Sequence, residues 1–124
     1  MTAKPKINII GTGGTIAGRA ASAADLAYDA AQLSVDELLE DIPGLKDIAD
    51  ISATNLFALN SKDMGPGEWL KLARRVETCA EDQDTAGVVV THGTDTLEEA
   101  ALFLELTLRT QKPVVITGSM RAAT

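Results

Sequence analysis

Two short stretches gather hydroxyls, a carboxylate and glycines at the ends of apolar runs. One is Ile9-Ile10-Gly11-Thr12-Gly13-Gly14-Thr15-Ile16-Ala17-Gly18. The other is Gly87-Val88-Val89-Val90-Thr91-His92-Gly93-Thr94-Asp95-Thr96. A threonine hydroxyl is a poor nucleophile until a neighbour takes its proton. Neither His nor Lys stands beside Thr15, so its activator must come from elsewhere in the fold. Thr94 and Asp95 set a hydroxyl beside a carboxylate that can hold an ammonium group or orient a proton relay. His92 has two readings, a base or a hydrogen-bonded structural residue. Our expectation is that the two threonine-bearing turns form one polar site for a small ligand, with no metal and no cofactor.

The elements that must position these turns follow from local pattern. Ile7 to Ile10 reads as a short strand, and Gly11, Gly13 and Gly14 allow a tight exit that approaches a ligand closely. The spacing of GTGGTIAG fits neither G-x-G-x-x-G nor a Walker A loop. A plain strand exit therefore stays open beside a ligand cradle. Residues 19 to 33 are Ala-rich with little periodicity and read as a flap carrying Tyr28, the only tyrosine. That tyrosine either pins the loop or acts beside a nucleophile.

Ser34 to Glu37 opens a helix with a capping box; the helix runs to Ile42 and is ended by Pro43-Gly44. Of the stretch 48–59, the second half reads as a strand. Its exit, Asn60-Ser61-Lys62-Asp63-Met64, offers Ser61 and Lys62 as ligand contacts, or else as a solvated loop with a helix cap. Pro66 starts a helix whose apolar stripe is Trp69, Leu70, Leu72, Ala73, Val76 and Ala80. Cys79, near its end, reads as packing. The apolar run at 87–90 is a buried strand, and a helix follows from Leu97 to about Arg109, with Leu97, Ala100, Ala101, Leu104 and Leu108 toward the sheet. Glu98 and Glu99 suit its dipole. Pro113 opens a last strand at 114–117, after which another helix is due.

Alternation of strand and helix predicts an α/β fold, a parallel sheet flanked by helices of the Rossmann or flavodoxin-like kind. Ligands of such sheets bind at the carboxyl ends of the strands, where both turns fall. With 124 residues the chain is at most one domain, and 45% hydrophobic with 23% charged residues is ordinary for a globular one. Aromatics are only 3%, so the core must come from Leu, Ile, Val and Ala. Eleven basic against eighteen acidic residues give a net charge of −7, which argues against nucleic acid or an anionic membrane as partner. One cysteine and one histidine exclude an intrachain disulfide and multi-His zinc sites. No apolar run has the length of a transmembrane helix or signal peptide, so the expected location is the cytoplasm, or the periplasm if a signal has been removed.

TGGTIAG at 12–18 and THGTDT at 91–96 together resemble the bacterial L-asparaginase family, including its glutaminase-asparaginases. Ser61-Lys62-Asp63-Met64 between them and Thr117-Gly118-Ser119-Met120-Arg121 after them add to the resemblance, as do Leu97-Glu98-Glu99-Ala100 and Lys112-Pro113-Val114-Val115. The resemblance covers essentially the whole chain. It implies hydrolysis of L-asparagine to L-aspartate and ammonia through an acyl-threonine, with some L-glutamine activity. It implies Thr15 as nucleophile, Tyr28 as the flap tyrosine that assists it, and Thr94 as a second catalytic threonine working with Asp95. Asp95 would also hold the substrate α-amino group and Ser61 the α-carboxylate. Ser119 aligns with a small residue whose backbone faces the side-chain amide; Gly14, Lys62 and Gly93 complete the substrate-binding set. Lys62 stands where the family commonly has Gln or Glu, and a cation there repels an ammonium unless it points away.

The resemblance also implies what these residues lack. The chain 1–124 would be the N-terminal part of the large α/β domain of a two-domain protein. The lysine that pairs with Thr94, and the acid that pairs with Tyr28, would lie beyond Thr124. Family enzymes are homotetramers built from intimate dimers. The 124 residues alone are expected not to turn over asparagine. The competing expectations are a truncated module that binds an amino acid, and a nucleotide-binding α/β domain.

Overall fold

A computed structural model describes residues 3–20, 28–29 and 33–122, with only the backbone for residues 19, 20, 28 and 29. Its centre is a four-stranded sheet of β1 (Lys6–Gly13), β4 (Asp50–Leu59), β5 (Thr85–Thr91) and β6 (Val114–Thr117), every pair parallel. The spatial order is β4-β1-β5-β6. The expected α/β architecture is therefore present, and the order is the flavodoxin-like one of its two forms. The helices are α1 (Val35–Glu40), α2 (Leu45–Ile48), α3 (Pro66–Glu81) and α4 (Leu97–Thr107). The chain leaves β1 toward β4 in one direction and leaves β5 toward β6 in the other. Right-handed crossovers then put α1 on one face of the sheet and α3 with α4 on the other. Between β1 and β5 the direction of winding reverses, so their carboxyl ends flank the topological switch point.

The core is aliphatic, as the scarcity of aromatics requires. Ile10, Val88 and Val90 of the sheet meet Leu72, Ala73 and Val76 of α3 and Leu104 of α4. Trp69 and Phe103 join the two helices with ring centroids 5.8 Å apart. Four of the six residues expected on the α3 stripe are buried; Leu70 is instead 45% exposed. On α4, Ala100 and Leu104 are buried, while Leu97, Ala101 and Leu108 are half-buried. No helix among the described residues is long and apolar enough to cross a membrane.

Several element bounds differ from expectation, each for a tertiary reason. β1 runs past Ile10 because β4 and β5 both pair with it to Gly11 and β4 pairs again at Gly13. β4 is a strand over its whole length, since Asp50 to Asn55 pair in parallel with Lys6 to Gly11. β5 extends beyond 87–90 to Thr85 and Thr91 for the same reason. α1 has the expected capping box, with the Glu37 N–H donating to Ser34 Oγ at 3.2 Å and the Ser34 N–H to Glu37 Oε2 at 2.7 Å. It ends at Glu40, and α2 begins after Gly44, whose φ of 77° turns the chain. α4 stops at Thr107 rather than Arg109, because the Arg109 N–H donates across to Glu77 of α3 instead of up its own helix. Within the expected flap, Arg19–Ala20 (β2) and Tyr28–Asp29 (β3) pair antiparallel. Residues 21–27 and 30–32 of that segment, and the Tyr28 side chain, lie outside the described residues.

Candidate active site

Four strand exits converge at the carboxyl edge of the sheet. At the end of β1, Gly13 and the following Gly14 take φ of 99° and 81°, a region that L side chains avoid, and a 3₁₀ turn over Thr15–Ala17 follows. The Gly14 N–H donates to the Leu59 carbonyl at 2.9 Å, which ties this turn to the end of β4. The backbones of Gly14 and Gly93 touch: a Cβ on Gly14 would lie 2.3 Å from Gly93 Cα. A Cβ on Gly93 would in turn lie 2.6 Å from Ser61 Oγ. Glycine is needed at both positions because two turns and a serine occupy the space of one side chain.

Ser61 sits at the start of a 3₁₀ turn (Ser61–Asp63) and is only 3% exposed. Its carbonyl accepts from Thr96 Oγ1 at 2.9 Å, and its hydroxyl accepts from the Thr96 N–H at 3.3 Å. Ser61 thereby holds the entrance of α4 with an oxygen supplied by another strand exit. The Thr96 side chain makes no cap bond of its own. In the same turn Ser61 and Met64 are buried, while Lys62 and Asp63 between them are exposed.

The exit of β6 closes the group. The His92 N–H donates to the Thr117 carbonyl at 2.9 Å. A Cβ on Gly118 would fall 2.7 Å from the His92 carbonyl and 3.3 Å from Thr94 Cγ2. Ser119 is half-buried and occupied with its own turn, donating to the Arg121 carbonyl at 2.7 Å.

His92 is fully buried, with Nδ1 2.7 Å from the Gly93 carbonyl. A carbonyl only accepts, so Nδ1 carries the proton and Nε2 is bare; Nε2 has no partner among the described residues. Burial pushes the imidazole pKa below its ordinary value of 6.5, against the Gly93 carbonyl, which raises it. Of the two readings of His92, the geometry is that of the hydrogen-bonded structural residue.

The structure thus brings Gly14, Ser61, Gly93 and Thr94 together with Gly118, next to Ser119. Thr15 and Thr94 are half-buried and Asp95 is exposed at the mouth of α4. Lys62 is on the exposed side of its turn. A hollow of about 360 Å³ opens beside these exits, its wall including Gly11, Gly13, Ala17, Val35, Asn55 and Thr91. A larger hollow of about 450 Å³ lies along α4 and β6 and touches none of the four turns. Sequence reasoning passed over Thr12, which is 1% exposed and donates from Oγ1 to the Thr91 carbonyl at 2.8 Å. It also overlooked Gly118 as a packing point. A hydroxyl just after the apolar pair Ile9-Ile10 was the available signal for the first, since a buried polar group needs a partner.

Known proteins are similar to this chain in sequence and fold. Residues 6–124 match the family described as "Asparaginase, N-terminal". A "Probable L-asparaginase periplasmic" of Haemophilus influenzae is 49% identical over 120 residues, 97% of this chain and 34% of that protein. A "Glutaminase-asparaginase" of Pseudomonas aeruginosa is 49% identical over 117 residues, 94% of this chain and 32% of that protein. A crystal structure of a "Probable Cytoplasmic L-asparaginase" from Campylobacter jejuni superposes with a TM-score of 0.91 at 43% identity, covering 97% of this chain and 37% of that one. The chain spans about a third of the length of the curated relatives it matches. With its fold, its paired turns and its match over 6–124 in agreement, the chain belongs to the asparaginase family, whose N-terminal part it matches.

Proposed function

We propose that these residues are the N-terminal part of the large α/β domain of an amidohydrolase. Its reaction is hydrolysis of L-asparagine to L-aspartate and ammonia, with some L-glutamine activity. The observation that carries this reading is the contact of Gly14 with Gly93, which sets the turns of Thr15 and Thr94 side by side at the switch point. Thr15 attacks the side-chain amide carbon and ammonia leaves; water then releases the acyl group. Thr94, beside Asp95, takes part in the proton transfers with a base supplied by the remainder of the protein, and Tyr28 assists Thr15. Backbone N–H groups of the two turns face the developing oxyanion.

Asp95 holds the substrate ammonium. Ser61 has its hydroxyl oxygen engaged by the Thr96 N–H and its proton available, which suits a substrate carboxylate. Lys62, on the exposed side of its turn, lines the rim without opposing that ammonium. Gly14 and Gly93 serve substrate binding by holding the two turns against each other, and Ser119 faces the amide. The complete protein is a homotetramer with L-asparagine as its small-molecule partner and neither nucleic acid nor membrane. It resides in the cytoplasm, as the name of the Campylobacter jejuni relative has it, rather than in the periplasm of the Haemophilus influenzae name.

The test is ammonia release from L-asparagine by the full-length polypeptide and by residues 1–124 alone, with intact mass measured on both. Release by the former only is expected. Activity of the short chain at a family-like rate would refute the incomplete-machinery reading. Silence of both, with L-aspartate still bound in a calorimeter, would make the protein an amino-acid-binding module.

A further inference from the structure

We infer that Thr12 is a positioning residue for this site, its hydroxyl setting the spacing between the turns of Thr15 and Thr94. The inference rests on the amide-hydrolysis reading above. Thr12 stands three residues before Thr15, and Thr91 three residues before Thr94. The bond from Thr12 Oγ1 to the Thr91 carbonyl, 2.8 Å long and buried, therefore ties the two chains at matching distances from the two hydroxyls.

The surrounding ladder shows why a side chain is needed there. Pairing of β1 with β5 ends at Gly11 opposite Thr91. On the other side of β1 the register jumps from Gly11–Asn55 to Gly13–Leu59, leaving Thr12 without a register partner. At this level β1 bends away from a regular path. The neighbouring exits are joined by main-chain bonds, Gly14 to Leu59 and His92 to Thr117. Between β1 and β5 the Thr12 hydroxyl extends the connection past the last register pair. With 1% exposure it touches no solvent. A valine would fill the same space, so the hydroxyl is present for the bond rather than for packing.

The test compares Thr12→Val, Thr12→Ser and Thr12→Ala in the full-length protein. The readouts are kcat and KM for L-asparagine, and the stoichiometry and Kd of L-aspartate by calorimetry. Thr12→Val is expected to lower kcat about 10- to 100-fold, the scale of a small misplacement of reacting groups. L-Aspartate should still bind at full stoichiometry, which a merely structural loss of folded protein would not permit. Thr12→Ser, which keeps the hydroxyl, should retain most of the wild-type kcat, and Thr12→Ala should not. If the valine variant does not fold, the serine and alanine variants make the same comparison, since both lack the methyl. Equal kcat with and without the hydroxyl would overturn the inference, as would failure of all three variants to fold or a fall in stoichiometry that accounts for the lost rate. A silent wild-type protein would instead remove the amide-hydrolysis reading, and this inference with it.

Discussion

The two ends of the same sheet hold their polar groups in opposite ways. At the amino end, Lys6 Nζ is 2.5 Å from Asp82 Oδ2, and Lys112 Nζ donates to the Asp82 carbonyl at 2.5 Å. These charges lie on the surface: the Lys6 and Asp82 side chains are 33% and 42% exposed. At the carboxyl end, Thr12, Ser61 and His92 are each at most 3% exposed, and the side chain of each bonds to backbone of another turn or to its own. Water competes for the first set and is largely excluded from the second. An exposed ion pair is screened and adds little. A buried hydroxyl or imidazole nitrogen that is bonded resists displacement. The carboxyl end is therefore the rigid one, and rigidity at the strand exits is what a site needs when it must hold two hydroxyls in fixed relation.

This contrast can be broken most severely at Gly14. Gly14→Ala places a Cβ against Gly93 at a positive φ, and a loss of at least ~3 kcal/mol in urea unfolding is expected. Gly67→Ala, in the first turn of α3 with nothing within 4 Å, should change stability by less than ~1 kcal/mol in either direction. Equal effects at the two glycines would mean that the turns are looser than drawn.

A smaller effect sharpens the comparison by pH. The folded His92 pKa lies below 6.5, so between that lower value and 6.5 the unfolded chain binds a proton that the folded chain refuses. The contribution of His92 is complete above about pH 6.5 and is lost as pH falls through the window beneath it. Urea midpoints of wild type should drop over this range more steeply than those of His92→Gln. Parallel curves would show that His92 is not held neutral.

The smallest effect belongs to the amino end. Asp82 is held below its ordinary carboxylate value, chiefly by the hydrogen bond from Lys6 and then by the Asp84 N–H. The group is exposed, and Asp82→Asn should leave the thermal midpoint within the error of the scan at physiological salt. A large drop would place this end, too, among the rigid parts.

Much of the fold could be read locally. The Ser34–Glu37 capping box is a four-residue motif and appears as expected. The α3 stripe depends on helical spacing, and its four inward members are buried. The strand at 87–90 is an apolar β-branched run and forms the middle of β5. Errors arose where partners distant in sequence set the outcome. The first half of β4 has a weak pattern of its own and is a strand because β1 pairs with it. Leu70 belongs to the apolar stripe by spacing, yet the sheet does not reach it.

The site divides in the same way. That Thr15 and Thr94 each follow a strand and precede a turn was visible in the residues, as was the carboxylate beside Thr94. The involvement of Thr12 was hidden, because its partner Thr91 lies 79 positions away. The role of Ser61 at the mouth of α4 was hidden for the same reason, its partner Thr96 being 35 positions on. The status of His92 depended on which way its ring turned.

By itself, then, the sequence determined the alternation of strand and helix, the glycine turns and the chemical types gathered at them. These depend on backbone propensity and on contacts three or four residues apart. Only the tertiary structure decided the order β4-β1-β5-β6, and hence that the first and third main strands are neighbours with a switch point between them. It also decided that Gly14 packs on Gly93 and that Thr12 reaches Thr91. Such choices rest on burial of faces and satisfaction of polar groups across the whole chain, which no short window of residues contains.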